Sequence, residues 1–386
     1  MAPRDKDFSF QVEYSQGRFS LLGGETLPSE QIDYLKAYLK KVSAYSLAGK
    51  FGPHPVLSLY QPPLTTEAGT RSLAMRLQRR FHSQRVPATA TLAINRACQC
   101  SCEHCSAYFH NHSTLSELSK VQWLRAIEEA VALGVNHLIF LGGEPLLRSD
   151  LPELISGAST QRASTALFTN GEFLTKPTCE KLARAGLMGA FISLDSVTPS
   201  EHDRLRNRPG LFKKARQGIQ NLQDSGILTA LSSYLSPLRL QEGVFEGMME
   251  LGKELSVNEL TFFDAIPSGR WLQKPSCVLQ EEDRKRIQGL VRAFRKKPGY
   301  PVISAQSTLT CEGGSAFCFA ANTQFYLSAH GEMQPCDFTP LTFGRFPEES
   351  LSTLWDRMIH TPPYHRRAQS CRMQDPAFRK QYLLEE

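Results

Sequence analysis

The chain has 386 residues, of which 41% are apolar and 21% charged. These are ordinary globular proportions, and they exclude a disordered chain, a collagen-like chain and a coiled coil. A net charge of +6 over this length argues for solubility rather than for a nucleic-acid partner. No window approaches the roughly 18 consecutive apolar residues a membrane span needs. The opening MAPRDKDFSF lacks the apolar core of a signal peptide. The expectation is a cytoplasmic protein with neither membrane nor nucleic acid as partner. Ten cysteines are too few for a disulfide scaffold, and in a reducing compartment clustered cysteines bind metal or do redox work. Four fall between Cys98 and Cys105 and four between Cys311 and Cys371. Cys179 and Cys277 stand apart and read as packing residues.

Residues 1–87 form a leader region. Alternating residues from Phe8 to Leu22 predict a hairpin turning at Gln16-Gly17. Residues 29–48 predict an amphipathic helix with Ser29 as N-cap. The run FGPHPVLSLYQPPL is Pro-rich and extended, and residues 66–82 predict a basic helix. From about residue 88 the rhythm changes. Strands are predicted at Thr89–Ile94, His137–Leu141, Ser164–Phe168, Ala190–Leu194, Leu228–Tyr234 and Glu259–Phe263. Helices are predicted at Ser119–Leu133, 177–185 and Leu211–Ser225, with others after the last two strands. Strand–helix alternation of this kind implies a parallel sheet with right-handed crossovers. Both a six-unit open barrel and a doubly wound sheet fit the count. Beyond residue 300 the pattern is irregular, with a small hairpin around Ala329-His330-Gly331 and a short helix at Ser350–Ile359. So short a region with four cysteines looks metal-stapled.

INRACQCSCEHCSAYF places Cys98, Cys102 and Cys105 in CxxxCxxC spacing directly after a predicted strand. Loops at the carboxyl ends of parallel strands carry active sites. Three thiolates this close can wrap one face of an iron–sulfur cluster and leave one iron open. A zinc knuckle using Cys100, Cys102, Cys105 and one of His104, His110 or His112 is the structural alternative.

At these residues the sequence resembles the radical S-adenosylmethionine (radical SAM) enzymes, over roughly residues 88–386. The resemblance implies a partial (β/α)6 TIM-like barrel. It also implies a 4Fe–4S cluster on Cys98, Cys102 and Cys105, whose fourth iron is chelated by the methionine of S-adenosylmethionine. Electron transfer then cleaves the sulfonium and releases a 5′-deoxyadenosyl radical. His104 departs from the family, which usually has an aromatic residue there, and Cys100 matches no family ligand. LGGEPLL, with Gly142, Gly143 and Glu144, is similar to the family's GGE motif, which binds the methionine amino group. The resemblance further implies cofactor contacts from Asn170 in FTNGE, from Ser193 and Asp195 in FISLDS, and from Arg206, which would neutralise the carboxylate. Bland readings stand beside these: an Asn-Gly turn for Asn170 and a solvated helix-start residue for Arg206. Gly269 in IPSGRW resembles the last ligand-facing loop, near adenine.

Cys318, twelve residues, Gly331, four residues and Cys336 fit the CX9–15GX4C signature of SPASM and twitch extensions. Cys371 matches the later cysteine and Cys311 the additional upstream ligand. The resemblance implies an auxiliary 4Fe–4S cluster on Cys311, Cys318, Cys336 and Cys371; a structural Cys₄ zinc site is the alternative. No cysteine lies between Cys336 and Cys371, so two clusters are expected rather than three. Four thiolates would saturate the auxiliary cluster, which then conducts electrons rather than binding substrate.

The domains expected are therefore 1–87 as leader region, 88–300 as radical SAM core and 301–386 as SPASM/twitch-like domain. The activity expected is an oxidoreductase's, on a small biosynthetic molecule such as a tetrapyrrole side chain. The alternative is a maturase of a ribosomally made peptide. The basic stretches at 76–85 and 365–372 could dock an acidic electron donor such as flavodoxin or ferredoxin, or an acidic substrate, or could be solvated faces. Tyr234 and Asp264 could face the substrate, or show only strand-end polarity.

Overall fold

The computed structural model describes residues 9–108, 115–160, 162–306 and 318–384. Phe10–Ser15 (β1) and Arg18–Gly23 (β2) pair as a hairpin, with Gln16 and Gly17 at φ 48° and 77°. Positive φ at both positions suits a two-residue hairpin loop. The hairpin packs on helices Ser29–Val42 and Glu67–Phe81 through Phe10, Phe19, Leu35, Leu39 and Leu73. Ser29 is not the N-cap. Pro28, extended at ψ 141°, precedes the helix without a side-chain cap, and Ser29 is its first residue. Between the helices, Gly49–Phe51 (β3) and His54–Val56 (β4) make a small hairpin inside the Pro-rich stretch.

The predicted strands form as Thr89–Ala93 (β5), His137–Leu141 (β6), Ser164–Thr169 (β7), Gly189–Ser193 (β8), Leu228–Leu235 (β9) and Glu259–Asp264 (β10). They lie side by side in chain order, every neighbour parallel. All eight residues of β9 are buried, as expected of a strand covered on both faces. Val302–Ala305 (β11) adds a parallel strand beside β10. Gln324–Leu327 (β12) pairs parallel with β5, and Met333–Gln334 (β13) returns antiparallel to it. The mixed α/β architecture with six central βα units is the partial barrel, extended by one strand on one side and a hairpin on the other.

Helix Lys120–Leu133 begins with a capping box between Ser119 and Gln122 and stops at Gly134. Its Trp123 and Ile127 join Leu138 and Phe140 in the main core, all fully buried. The sequence reading missed helices Leu151–Thr160 and Pro199–Arg206. Helix Leu351–His360 is tied to the barrel wall, where Leu351 N–H donates to Glu129 at 2.8 Å. No helix among the described residues is long and apolar enough to cross a membrane.

One end of the barrel is plugged. Residues 58–59 sit at the amino ends of the strands, where Leu59 N–H (2.6 Å) and Ser58 Oγ (2.9 Å) donate to Glu259, the first residue of β10. Above them Phe168 and Phe191 stack at 4.4 Å, and Tyr60 lies 4.6 Å from Phe191. The filled lower half leaves the carboxyl ends of the strands for a site.

Candidate functional site

The loop after β5 carries the first cysteines and is gripped from three sides. Gly143 N–H donates to Asn95 O at 2.9 Å, and Glu144 N–H to Ala97 O at 2.7 Å. Ser101 and Glu103 N–H donate to the carbonyls of Arg206 and Leu205 at 3.2 and 3.1 Å. Arg270 N–H donates to Cys105 O at 3.2 Å. Close approach explains the glycines: a Cβ at Gly142 would lie 2.4 Å from Asn95 O, and one at Gly143 2.3 Å from Ala97 O. Gly269, at φ +51°, would place a Cβ 2.0 Å from Cys105 O. It therefore acts as a seat for the third cysteine's backbone.

A cavity of about 230 Å³ opens here, lined by Cys98, Cys100, Cys102 and Cys105. Gly142, Gly143, Asn170, Ser193 and Arg206 line the remainder, together with His104 and Arg270. Asn170 accepts from Gln99 Nε2 at 3.2 Å through Oδ1, while its buried Nδ2 has no hydrogen-bond partner. Glu144 behaves differently. It is 1% exposed and absent from the cavity wall. Its carboxylate accepts from Thr169 Oγ1 (2.7 Å), Asn170 N–H (2.9 Å) and Leu146 N–H (3.1 Å), tying the β6 loop to the end of β7. Burial pushes its pKa up to about 7 in spite of these donors.

Asp195 also lies behind the wall, 1% exposed. Its Oδ2 accepts from Arg206 Nε at 2.7 Å and stands 3.3 Å from His104 Nε2. Burial works to raise its pKa, but Arg206 and then the neighbouring histidines outweigh it and hold the carboxyl far below the usual range. Arg206 in turn reaches Cys102 Sγ at 4.0 Å, bringing a fixed positive charge to the thiol. Burial lowers His104 to about 4, so the ring is neutral at pH 7. It packs 4.6 Å from Tyr234 and 5.9 Å from Trp271, which leaves Tyr234 a stacking partner. Asp264 is held by Gln374 (3.4 Å) and Arg284 (4.0 Å).

Several residues with roles here went unpredicted. Arg239 donates to the carbonyls of Asp195 and, at 3.0 Å, of Tyr234. Asp195 N–H donates to His202 Nδ1 at 3.1 Å. Arg148 Nη1 donates to Ile94 O and Leu118 O, at 2.8 and 3.1 Å. Lone Arg and His residues, Arg239 and His202 in helices and Arg148 just after a 3-10 turn, carry no sequence signal for such work.

The later cysteines also converge. The Cys371 thiol is influenced by Cys318 and Cys336, both close enough to act on it. Backbone N–H groups point at the sulfurs: Ala320 and Arg372 at Cys318, Phe338 at Cys336, Met373 and Gln374 at Cys371. Burial pushes Cys336 up to about 12, so these thiols ionise only beside added positive charge. Cys311, His110 and His112 lie outside the described residues. Cys179 is fully buried and Cys277 is 9% exposed. Among the described residues no three Cys, His, Asp or Glu side chains stand close enough to share one metal ion.

Residues 92–242 match the model of the Radical SAM superfamily. The chain is similar to the AdoMet-dependent heme synthase of Oleidesulfovibrio alaskensis, at 26% identity over 82% of this chain and 91% of that protein. It is also similar to a PqqA peptide cyclase of Ruegeria pomeroyi, 29% identical over 70% of this chain and 74% of the relative. Among solved structures, Streptococcus suis SuiB bound to S-adenosylmethionine shares the fold with a TM-score of 0.60. That likeness is 14% in sequence and covers 94% of this chain and 89% of SuiB. A radical SAM domain implies one 4Fe–4S cluster and S-adenosylmethionine. The residues present fit that pair: Cys98, Cys102 and Cys105 line one cavity, a guanidinium stands beside one of them, two glycines open the backbone, and Asn170, also in the lining, has a buried amide nitrogen without a hydrogen-bond partner.

Proposed function

We propose, from the premise that residues 92–242 are a radical SAM domain and the chain a radical SAM enzyme, that it is an oxidoreductase acting on tetrapyrrole side chains. When bound, the cluster and S-adenosylmethionine supply a 5′-deoxyadenosyl radical that abstracts hydrogen from carbon. Cys98, Cys102 and Cys105 would hold the cluster. Gly142, Gly143, Asn170 and Ser193 would receive the nucleoside, and Arg206 the methionine carboxylate. Glu144 and Asp195 would act through others, Glu144 by fixing Asn170 and Asp195 by aiming Arg206. His104 would offer an uncharged ring face for stacking. The stacked aromatics beneath, Phe168 and Phe191, would keep water from the reacting carbon.

Cys318, Cys336 and Cys371, with Cys311, would hold an auxiliary 4Fe–4S cluster. The inward N–H groups suit sulfur ligands of a cluster, and a saturated cluster suits removal of an electron from the substrate. Residues 1–87, 88–300 and 301–386 would be leader, core and auxiliary-cluster domain.

The observation that carries the substrate reading is the match to a heme synthase across 91% of that relative's length. The test uses anaerobically reconstituted protein. Iron and sulfide should equal two four-iron clusters. Cys98→Ala should abolish 5′-deoxyadenosine release, while Cys336→Ala should retain it. A carboxylated iron porphyrin should bind and change mass. Peptide modification is the second reading, favoured by the PqqA cyclase relative. A mass change in a precursor peptide, with the porphyrin unaltered, would replace the first reading with the second.

A further inference from the structure

Two stretches without any carboxylate meet above the second cysteine group. No Asp or Glu occurs from Ala68 to Cys102, or from Arg357 to Gln374. The first includes Arg76, Arg79, Arg80 and Arg85, and the second Arg366, Arg367 and Arg372. Folding joins them: Arg85 Nη1 donates to Ile359 O at 3.2 Å, and its Nη2 to His365 O at 3.1 Å. Burial first, then the charges of Arg367 and Arg372, lower the Arg85 pKa. Arg79 is lowered to about 10 by burial and Arg76, with Arg367 adding to the effect. Like charges thus crowd together. None of these seven arginines makes an ion pair among the described residues. Arg80, His365, Arg366 and Arg367 are exposed.

The face sits on the cysteines. Cys318 N–H donates to Ala368 O at 2.8 Å, and Ala368 directly follows Arg367. The Arg372 guanidinium lies 5.1 Å over the Tyr364 ring and donates to Arg366 O at 2.6 Å, while the Arg372 N–H meets the Cys318 thiol. None of these arginines lines the cavity below the first cysteines, so an acidic substrate held on this face would not reach it.

We propose that this basic face docks a small acidic one-electron carrier protein, of the flavodoxin or ferredoxin class, against the Cys318–Cys336–Cys371 group. The inference rests on reading that group as the auxiliary cluster. Exposed charge of one sign raises association rates by about 10–10³-fold at low ionic strength. It is screened over about 10 Å at 0.1 M salt, so the signature is a salt-sensitive on-rate.

The test measures association of flavodoxin, and separately of ferredoxin, with the anaerobically reconstituted holoenzyme across a salt series. Arg366→Glu/Arg367→Glu should slow association roughly tenfold or more at low salt. Arg80→Glu, on the other stretch, should act in the same direction. Lys176→Glu/Lys213→Glu, exposed on the barrel helices Lys176–Arg184 and Leu211–Asp224, should change little. Melting temperature and iron content of each variant establish that it is folded and loaded. Unchanged association in the arginine variants overturns the proposal. So does equal slowing in the lysine pair, or binding of a carboxylated porphyrin on this face that leaves carrier association unchanged. Iron short of a second cluster with docking intact would sink the cluster reading alone; full iron with no docking would sink the docking alone.

Discussion

Asp195→Asn tests the electrostatic centre of the site. The carboxylate is 1% exposed, and the Arg206 side chain it holds at 2.7 Å is 11% exposed. The substitution keeps shape and removes charge, leaving a buried guanidinium without its counter-ion. Breaking one side of a buried pair costs about 3–5 kcal/mol. Unfolding entropy near 60 °C is about 2.1 cal/mol/K per residue, which over 386 residues gives about 0.8 kcal/mol/K. The expected fall in Tm is thus about 4–6 °C at pH 7, if the chain melts as one unit. Because the folded pKa is depressed, this stability is present above about pH 4 and is lost below it as the carboxyl protonates. The gap between parent and variant should narrow accordingly on acidification. Melting of cluster-free protein would be compared for the parent, Asp195→Asn, Arg206→Met and the double variant. The double variant should lose less than the sum of the singles, since removing both charges strands neither. Strict additivity, or an unchanged Tm in Asp195→Asn, would refute the reasoning.

Gly269→Ala should displace Cys105 O, which a Cβ would approach to 2.0 Å. Iron at the first cluster should fall while that at the second is kept, as read by iron analysis and 5′-deoxyadenosine release. Glu144 has a raised folded pKa of about 7, so the unfolded chain releases its proton first. Stability from this group should decline as pH rises from about 4.3 towards 7; Glu144→Gln should remove that decline, seen as a Tm difference between parent and variant that changes with pH. His104, lowered to about 4, should contribute no titration to S-adenosylmethionine affinity between about pH 6 and 8. His104→Phe, which keeps an aromatic ring beside Tyr234, should alter the Kd little by calorimetry.

The six central strands were legible because each is a short apolar run followed by turn chemistry. Right-handed crossovers fit a doubly wound order as well as the chain order the strands adopt, so the order was not legible. The cysteine spacings were plain. The pairing of β12 with β5 was not, because no local pattern tells which edge a strand more than 200 residues later will join. Helix Pro199–Arg206 was missed because its eight residues have only two buried side chains, His202 and Leu205, too few for a period. The direction in which Glu144 points was also hidden: a GGE turn shows a carboxylate next to a strand end, but whether it faces the cavity or the neighbouring strand depends on Thr169 and Asn170.

The glycines and buried charges together explain how a loop without regular structure keeps Cys98, Cys102 and Cys105 at one cavity. Each of the three grips on residues 95–105 comes from a different strand end: Gly143 and Glu144 after β6, the Leu205 and Arg206 carbonyls after β8, Gly269 and Arg270 after β10. Three carbonyls of the loop, on Asn95, Ala97 and Cys105, and two N–H groups, on Ser101 and Glu103, are thereby satisfied without side chains that would occupy the cavity. Two of the grips need glycine, since any Cβ would overlap a loop carbonyl. The third needs Arg206 at a helix end, where its carbonyl is free of helical bonding and its guanidinium can turn towards Cys102 and Asp195. Thiol placement is therefore a property of the barrel rim as a whole, and Gly269→Ala, 164 residues beyond Cys105 in sequence, should disturb the first cluster as surely as a change beside it.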